Sequence, residues 1–111
     1  MAQFAAYENP NKATKKTYPF LLDIQSNLLD DLRTTVVIPL CPTNQAGKAA
    51  ISKLCPVLEI NGKSFVALTQ QIAGIDRKSL GKKAYDLSHY RSEIIAAIDF
   101  IIAGHGVICQ K

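Results

Sequence analysis

Short apolar runs separated by polar, Pro- or Gly-containing stretches fill most of the chain, and helical spacing appears only near its end. Gln3 to Tyr7 can begin as a strand, and the stretch from Glu8 to Lys16, rich in Asn, Pro and Lys, has the composition of an exposed hairpin loop. "TYPFLLDIQSNLL", from Thr17 to Leu29, is the expected return strand. Pro19 places its start at a sheet edge or just after the loop, because proline has no amide to give to a ladder. Thr34 to Leu40, "TTVVIPL", is rich in β-branched residues and reads as a buried strand that stops at Pro39. In "CPVLEINGKSFVALT" two extended runs flank Asn61-Gly62, a pair that tolerates positive φ at both positions and predicts a two-residue hairpin turn. "GIDRKSLGKKAYDL" reads as one last strand followed by a loop.

The final element has a different period. In "LSHYRSEIIAAIDFIIAG" the apolar residues at 94, 95, 98, 101 and 102 follow the i, i+3, i+4 spacing of a buried helical face. Ser88 is the candidate N-cap and Gly104 the expected end. The expected class is therefore mainly β with one C-terminal α-helix.

With 111 residues, 48% of them hydrophobic, the chain is long enough for one core and short for two, so a single domain over 1–111 is expected. The first ten residues lack the basic start and apolar run of a signal peptide. The longest apolar stretch, Ile94 to Ile102, contains Asp99 and falls short of the ~20 residues of a membrane span. A cytoplasmic protein with no membrane segment is the expectation. The net charge of +4 is spread over short groups such as Lys15-Lys16, Arg77-Lys78 and Lys82-Lys83, which reads first as a solvated basic surface.

Candidate chemistry is sparse. Cys41, Cys55 and Cys109 are odd in number and lack a C-x-x-C pair, so they read as reduced thiols and not as a disulfide framework or zinc site. A Cys nucleophile needs a neighbouring base. Cys41 and Cys55 each precede proline beside apolar runs, where buried thiols are common, and His89 sits at the helix start, where a structural hydrogen bond is the simpler role. The chain has no Gly-rich phosphate loop, metal-ligand cluster or paired-carboxylate motif, so no cofactor, no metal and no enzymatic activity are expected. Asp30-Asp31 reads as a solvated turn. Leu28 and Leu29 lie between Gln25-Ser26-Asn27 and those aspartates, either as core plugs or as an apolar surface pair. Gly104-His105-Gly106 offers backbone amides and an imidazole for docking, although a capping glycine alone would explain Gly104.

Taken together, "QFAAY", "LLDIQSNLLDD", "VVIPL", "CPVLEINGKSFVALTQQIAGI" and "DLSHYRSEIIAAID", in this order and spacing, resemble the CcdB toxins of toxin–antitoxin modules. The resemblance covers nearly the whole chain. It implies an SH3-like barrel with a five-stranded antiparallel sheet, a smaller three-stranded sheet and a C-terminal helix. It also implies a homodimer that binds the A subunit of DNA gyrase and traps the enzyme on cleaved DNA without chemistry of its own. An antitoxin, CcdA, would wrap the toxin through acidic disordered tails, release it from gyrase and form with it a repressor of the operon, so that DNA is met only indirectly. By matching motif the gyrase contacts fall on Ser26, Leu28 and Leu29 and on Asp99, Ile102, Ala103, Gly104 and His105. A well-known member of the family ends in tryptophan-glycine-isoleucine, whereas this chain has no tryptophan and runs on for several residues. The ungapped register puts Ala103-Gly104-His105 there, and a two-residue shift puts His105-Gly106-Val107 there. Lys12, Lys15 and Lys16 in the first loop are candidate antitoxin contacts. The alternative is an endoribonuclease of MazF type, which shares the barrel.

Overall fold

The computed structural model describes residues 3–29, 31–46 and 55–103. Its elements run β1 (Ala5–Glu8), β2 (Phe20–Asp23), β3 (Thr34–Pro42), a helical turn α1 (Thr43–Ala46), β4 (Val57–Ile60), β5 (Lys63–Ala67), β6 (Ala73–Asp76), β7 (Lys83–Asp86) and α2 (Arg91–Ala103). The chain is mainly β with a single C-terminal helix. Every strand pairing is antiparallel, in the order β4-β5-β3-β2-β1-β7, with β6 added to β3.

The expected division into five strands and three is replaced, among the described residues, by one seven-stranded sheet. The two portions are continuous because β3 belongs to both. Its first half pairs β6, from Thr34↔Asp76 to Val37↔Ala73, and its second half pairs β5, from Leu40↔Ala67 to Pro42↔Phe65. The strand also runs through Pro39 to Pro42 and does not stop at the first proline. Within a strand, a residue's amide and carbonyl point to the same side. The Pro39 carbonyl accepts from the Leu68 amide at 3.0 Å, so its missing N–H faces the seam where β6 has ended and β5 begins. No ladder donor is lost there.

The sheet curls. Phe20 on β2 meets Phe65 on β5 edge-to-face at 5.4 Å and Tyr85 on β7 at 6.0 Å. In a flat sheet, strands two apart lie about 10 Å from one another, so these contacts need curvature. The curled sheet fits the expected SH3-like barrel. Its concave face holds the main core, including Phe4, Leu22, Ile38, Leu40, Leu58, Phe65 and, from α2, Ile94. A smaller cluster of Cys41, Cys55, Val66 and Leu68, with Tyr18 against it, covers the other face of β3 and β5. Alternation along β5 explains the two cores, since Phe65 and Ala67 face one and Val66 the other.

Local signals account for the turns. Asn61 (φ 53°) and Gly62 (φ 81°) both take left-handed backbone and close the β4–β5 hairpin, as the sequence predicts. Gly81 is required for another reason: a Cβ there would lie 2.7 Å from the Glu8 carbonyl oxygen, which accepts the Gly81 amide at 2.8 Å. "GIDRKSLGKKAYDL" contributes to two strands, β6 and β7, joined through a 3-10 turn over Arg77–Ser79, where one strand and a loop were expected.

The helix differs from expectation at its start and in the burial of its last apolar residues. Ser88 makes no side-chain cap, and Ser88–Tyr90 form a 3-10 turn that leads into α2 at Arg91. The 3-10 turn is tied to the residue that closes β7: the Ser88 amide donates to Asp86 Oδ1 at 2.9 Å. That amide, and after it the Ser88 hydroxyl, holds the Asp86 carboxyl below the usual carboxylate range. Of the five apolar positions read as one buried face, Ile94 is buried and Ile95 and Ile98 pack partly on the core, but Ile101 and Ile102 are exposed. The helix packs against Thr69–Gln71, and its buried positions, Ile94 and Ala97, lie in its first half. Gly104, the expected end, lies outside the described residues. Among the described residues no helix is long and apolar enough to cross a membrane.

Two outcomes follow. Thr35→Val removes the hydroxyl that donates to the buried Asp23 carboxylate and should cost about 2 kcal/mol in urea unfolding, while Thr34→Val on the exposed neighbour should cost less than about 0.5 kcal/mol. Because the Asp86 pKa is depressed on folding, its contribution is present above the ordinary carboxylate pKa and is lost as pH falls through the depressed value. Asp86→Asn should therefore flatten part of the acid limb of a stability-against-pH curve, without altering the plateau's shape near neutral pH.

Candidate functional site

The run Asp23-Ile24-Gln25-Ser26 leaves β2 and builds a turn almost wholly from its polar side chains. Asp23, 1% exposed, accepts from the Thr35 hydroxyl at 2.7 Å and from the Gln25 amide at 3.3 Å. Gln25 Nε2 donates to the Thr34 carbonyl at 3.1 Å and reaches the Leu29 carbonyl at 3.4 Å. Ser26 Oγ accepts the Leu28 amide at 3.2 Å, and its carbonyl accepts the Leu29 amide at 2.9 Å, closing a 3-10 turn over Asn27–Leu29. Asn27 Oδ1 accepts the Gln3 amide at 3.0 Å and ties the turn to the start of the chain.

What this scaffold displays is apolar. Leu28 is 93% exposed and Leu29 45%, so of the two readings left open, the surface pair is the one the structure adopts. Leu32, 49% exposed, extends the same segment. Its amide donates to the Leu29 carbonyl at 3.1 Å. Sequence reasoning missed Leu32, and it missed Arg77, whose Nε donates to the Leu32 carbonyl and whose Nη2 donates to the Leu29 carbonyl at 3.0 Å. No local pattern marks Arg77, because these partners lie 45 and 48 residues earlier.

The second group of candidate residues lies on α2. Asp99 is exposed on its surface and Ile102 is 78% exposed near the described end. Ala103 closes the described helix, and Gly104 and His105 lie outside the described residues, as do Asp30 and Cys109. Among the described residues no hydrogen bond or ion pair joins the leucine turn to α2 within one chain.

Lys12, Lys15 and Lys16 project from an ordered loop. Asn9, 4% exposed, holds it from beneath through Nδ2 to Thr14 Oγ1 (3.0 Å) and to the Tyr18 carbonyl (2.8 Å), while Asn11 accepts the Lys15 amide on its carbonyl. The three lysines are exposed. The loop forms one wall of an open groove of about 500 Å3, whose floor is made by Leu21, Val37, Pro39 and Ile75.

The thiols point away from nucleophilic chemistry. Cys41 and Cys55 are buried, burial pushes the Cys41 thiol pKa up, and Cys55 Sγ donates to Gln70 Oε1 at 3.1 Å. His89 is exposed, with its ring 4.4 Å from that of Tyr90.

The chain matches the CcdB protein family over residues 3–104, from before β1 to just beyond α2. The alternative of a MazF-type endoribonuclease is not supported, since the match over nearly the full length is to the other family on this barrel. An exposed leucine turn, an apolar helix end and a match spanning every described element lead to one conclusion: the chain belongs to the CcdB family, the gyrase-poisoning toxins of toxin–antitoxin modules.

Proposed function

We propose that this chain binds the A subunit of DNA gyrase through Ser26, Leu28, Leu29, Asp99, Ile102, Ala103, Gly104 and His105, and holds the enzyme on cleaved DNA without performing chemistry. The observation that carries the reading is the 93% exposure of Leu28 on a turn fixed by Ser26 and Gln25. An apolar side chain kept in water by a built scaffold is a docking feature. Ile102, 78% exposed, is a second such feature.

A binder can act as a poison by arithmetic alone. Gyrase cycles between sealed and cleaved states, and a ligand that binds the cleaved state more tightly shifts the population toward it. Neither a cofactor nor a reacting residue is needed. The toxin acts in the cytoplasm as a single-domain homodimer, and the exposed Ile101 supports an apolar association between helices. Each contact would then be presented twice to a symmetric target.

The antitoxin CcdA is the second partner. Its acidic tail would meet Lys12, Lys15 and Lys16 and lay apolar side chains into the adjoining groove floored by Leu21, Val37, Pro39 and Ile75. Toxin and antitoxin together would repress their operon, with the antitoxin supplying the DNA contact.

The test is purified gyrase with supercoiled DNA and this protein, scored for linear DNA after denaturation. Wild-type protein should accumulate linear DNA. Leu28→Asp should change unfolding stability by less than about 0.5 kcal/mol and raise the half-maximal toxin dose at least about tenfold. Poisoning by this variant at the wild-type dose would remove the turn from the site. For the antitoxin, replacing Lys12, Lys15 and Lys16 together with Gln should slow association with CcdA at low salt and leave little difference at high salt. Equal rates at low salt would exclude the loop from that encounter.

A further inference from the structure

Arg77 spends side-chain donors on a loop. It follows β6 directly, is half-buried, and reaches the segment between Leu29 and Arg33 with three donors. Nε donates to the Leu32 carbonyl at 2.6 Å, Nη2 to the Leu29 carbonyl at 3.0 Å, and the backbone amide to the Arg33 carbonyl at 2.9 Å. The neighbouring ion pair, Arg33 with Asp76 at 3.8 Å, is 83% and 42% exposed, so it adds little to the same junction.

The leucine turn needs such a brace. Leu28, Leu29 and Leu32 are exposed at 93%, 45% and 49%, and no residue of the Asn27–Leu29 turn is buried. A segment with no fully buried residue has a weak hydrophobic term to order it, and its hydrogen bonds carry much of the work against chain entropy. The planar guanidinium suits this work, because its fixed fork of donors can bridge two carbonyls, whereas a lysine ammonium is a single point at the end of a flexible stem. The two carbonyls bridged here belong to two of the exposed leucines, Leu29 and Leu32, whose backbones are also joined by the Leu32 amide donating to the Leu29 carbonyl at 3.1 Å.

The fork is separable from the fold. The register of β6 on β3 is set by four backbone pairs, Thr34↔Asp76 to Val37↔Ala73, and the Arg77 amide continues that ladder onto Arg33. Removing the guanidinium leaves all of these in place.

We propose that Arg77 is the positioning residue that locks the Leu28–Leu29–Leu32 turn in its docking conformation, and that Leu32 is a third apolar contact of this surface with gyrase. The inference rests on the reading of Leu28 and Leu29 as gyrase contacts. It adds the element that organises them in advance, so that binding does not have to order the turn at the moment of association.

Two readouts on the full chain test it. Amide hydrogen exchange follows the Leu29 and Leu32 amides, which donate to the Ser26 and Leu29 carbonyls, against β3 amides as reference. The linear-DNA assay with gyrase holoenzyme follows docking. Arg77→Met keeps the aliphatic stem and removes the fork, and Arg77→Lys keeps the charge without it. In both variants, exchange at Leu29 and Leu32 should quicken on the order of tenfold with β3 unchanged, and the half-maximal toxin dose should rise by a similar factor, equivalent to ~1.4 kcal/mol. Leu32→Asp should raise the dose while leaving exchange at Leu29 unaltered.

Unchanged exchange in Arg77→Met overturns the positioning role, as does faster exchange throughout β3, which would make Arg77 a brace of the whole sheet. Wild-type behaviour of Arg77→Lys would show that charge suffices and the fork is irrelevant. Leu32→Asp poisoning at the wild-type dose removes Leu32 from the surface. Wild-type protein that fails to bind gyrase overturns both this inference and the function it rests on, whereas wild-type binding with undiminished binding by Arg77→Met overturns this inference alone.

Discussion

Pro39 has no amide hydrogen, and the sheet is arranged around that one missing donor. Because β3 carries neighbours on both edges, a proline at its centre would ordinarily leave a buried carbonyl on the next strand without a partner. Here the donor side of Pro39 faces the point where β6 gives way to β5, and its carbonyl is used by the Leu68 amide. One strand therefore serves two partners on the same edge. The consequences reach the surface: β6 can end beside the start of β3, and only that placement brings Arg77 to the carbonyls of Leu29 and Leu32. The same seam lets β3 bury both of its faces, with Ile38 and Leu40 in the main core and Cys41 in the smaller one.

The Asp-Ile-Gln-Ser run is better understood as masonry than as a binding motif. Asp23 is consumed by Thr35, Gln25 by backbone carbonyls, and Ser26 by the amide of Leu28. Each polar side chain of the run replaces a hydrogen bond that regular structure does not supply at this point. The residues left to face solvent are leucines. Leaving Leu28 in water forgoes burial worth roughly 1.5–3 kcal/mol, so the fold gives up stability at the place where the proposed target would recover it.

Features with local causes were legible in the sequence. Asn61-Gly62 announces its turn because left-handed backbone is a property of those two residues, and α2 follows from spacing within a single segment. The exposed lysine loop follows from composition in the same way. What escaped depends on distant partners. The rule that proline ends a strand fails at Pro39 because the neighbour on that edge changes there, a fact of topology. Helical spacing placed Ile101 and Ile102 on the apolar face but could not say that the fold leaves them uncovered within one chain. Ser88 has the composition of a cap, yet it lies in a 3-10 turn that intervenes before α2, and its amide is taken by Asp86. The candidate site was legible as residue types at Ser26, Leu28 and Leu29, through a resemblance; its brace, Arg77, was not, since a hydrogen bond across 45 residues leaves no local trace.

The position of the two surfaces along β2 bears on how one toxin could serve two partners. The lysine loop enters β2 at Phe20 and the leucine turn leaves it after Asp23, so they occupy opposite ends of one four-residue strand. At ~3.3 Å per residue the strand separates them by roughly 13 Å. The strand is held on both sides, by β1 and β3, and is therefore a rigid spacer. Under the proposed function, an acidic tail seated on Lys12, Lys15 and Lys16 would leave the leucine turn open, and a longer extended tail of a few more residues would reach it. Such geometry permits a first contact while the turn is still engaged by its target, followed by competition at the turn itself. Neutralisation would then require no change of shape in the toxin, only a partner long enough to span a single strand.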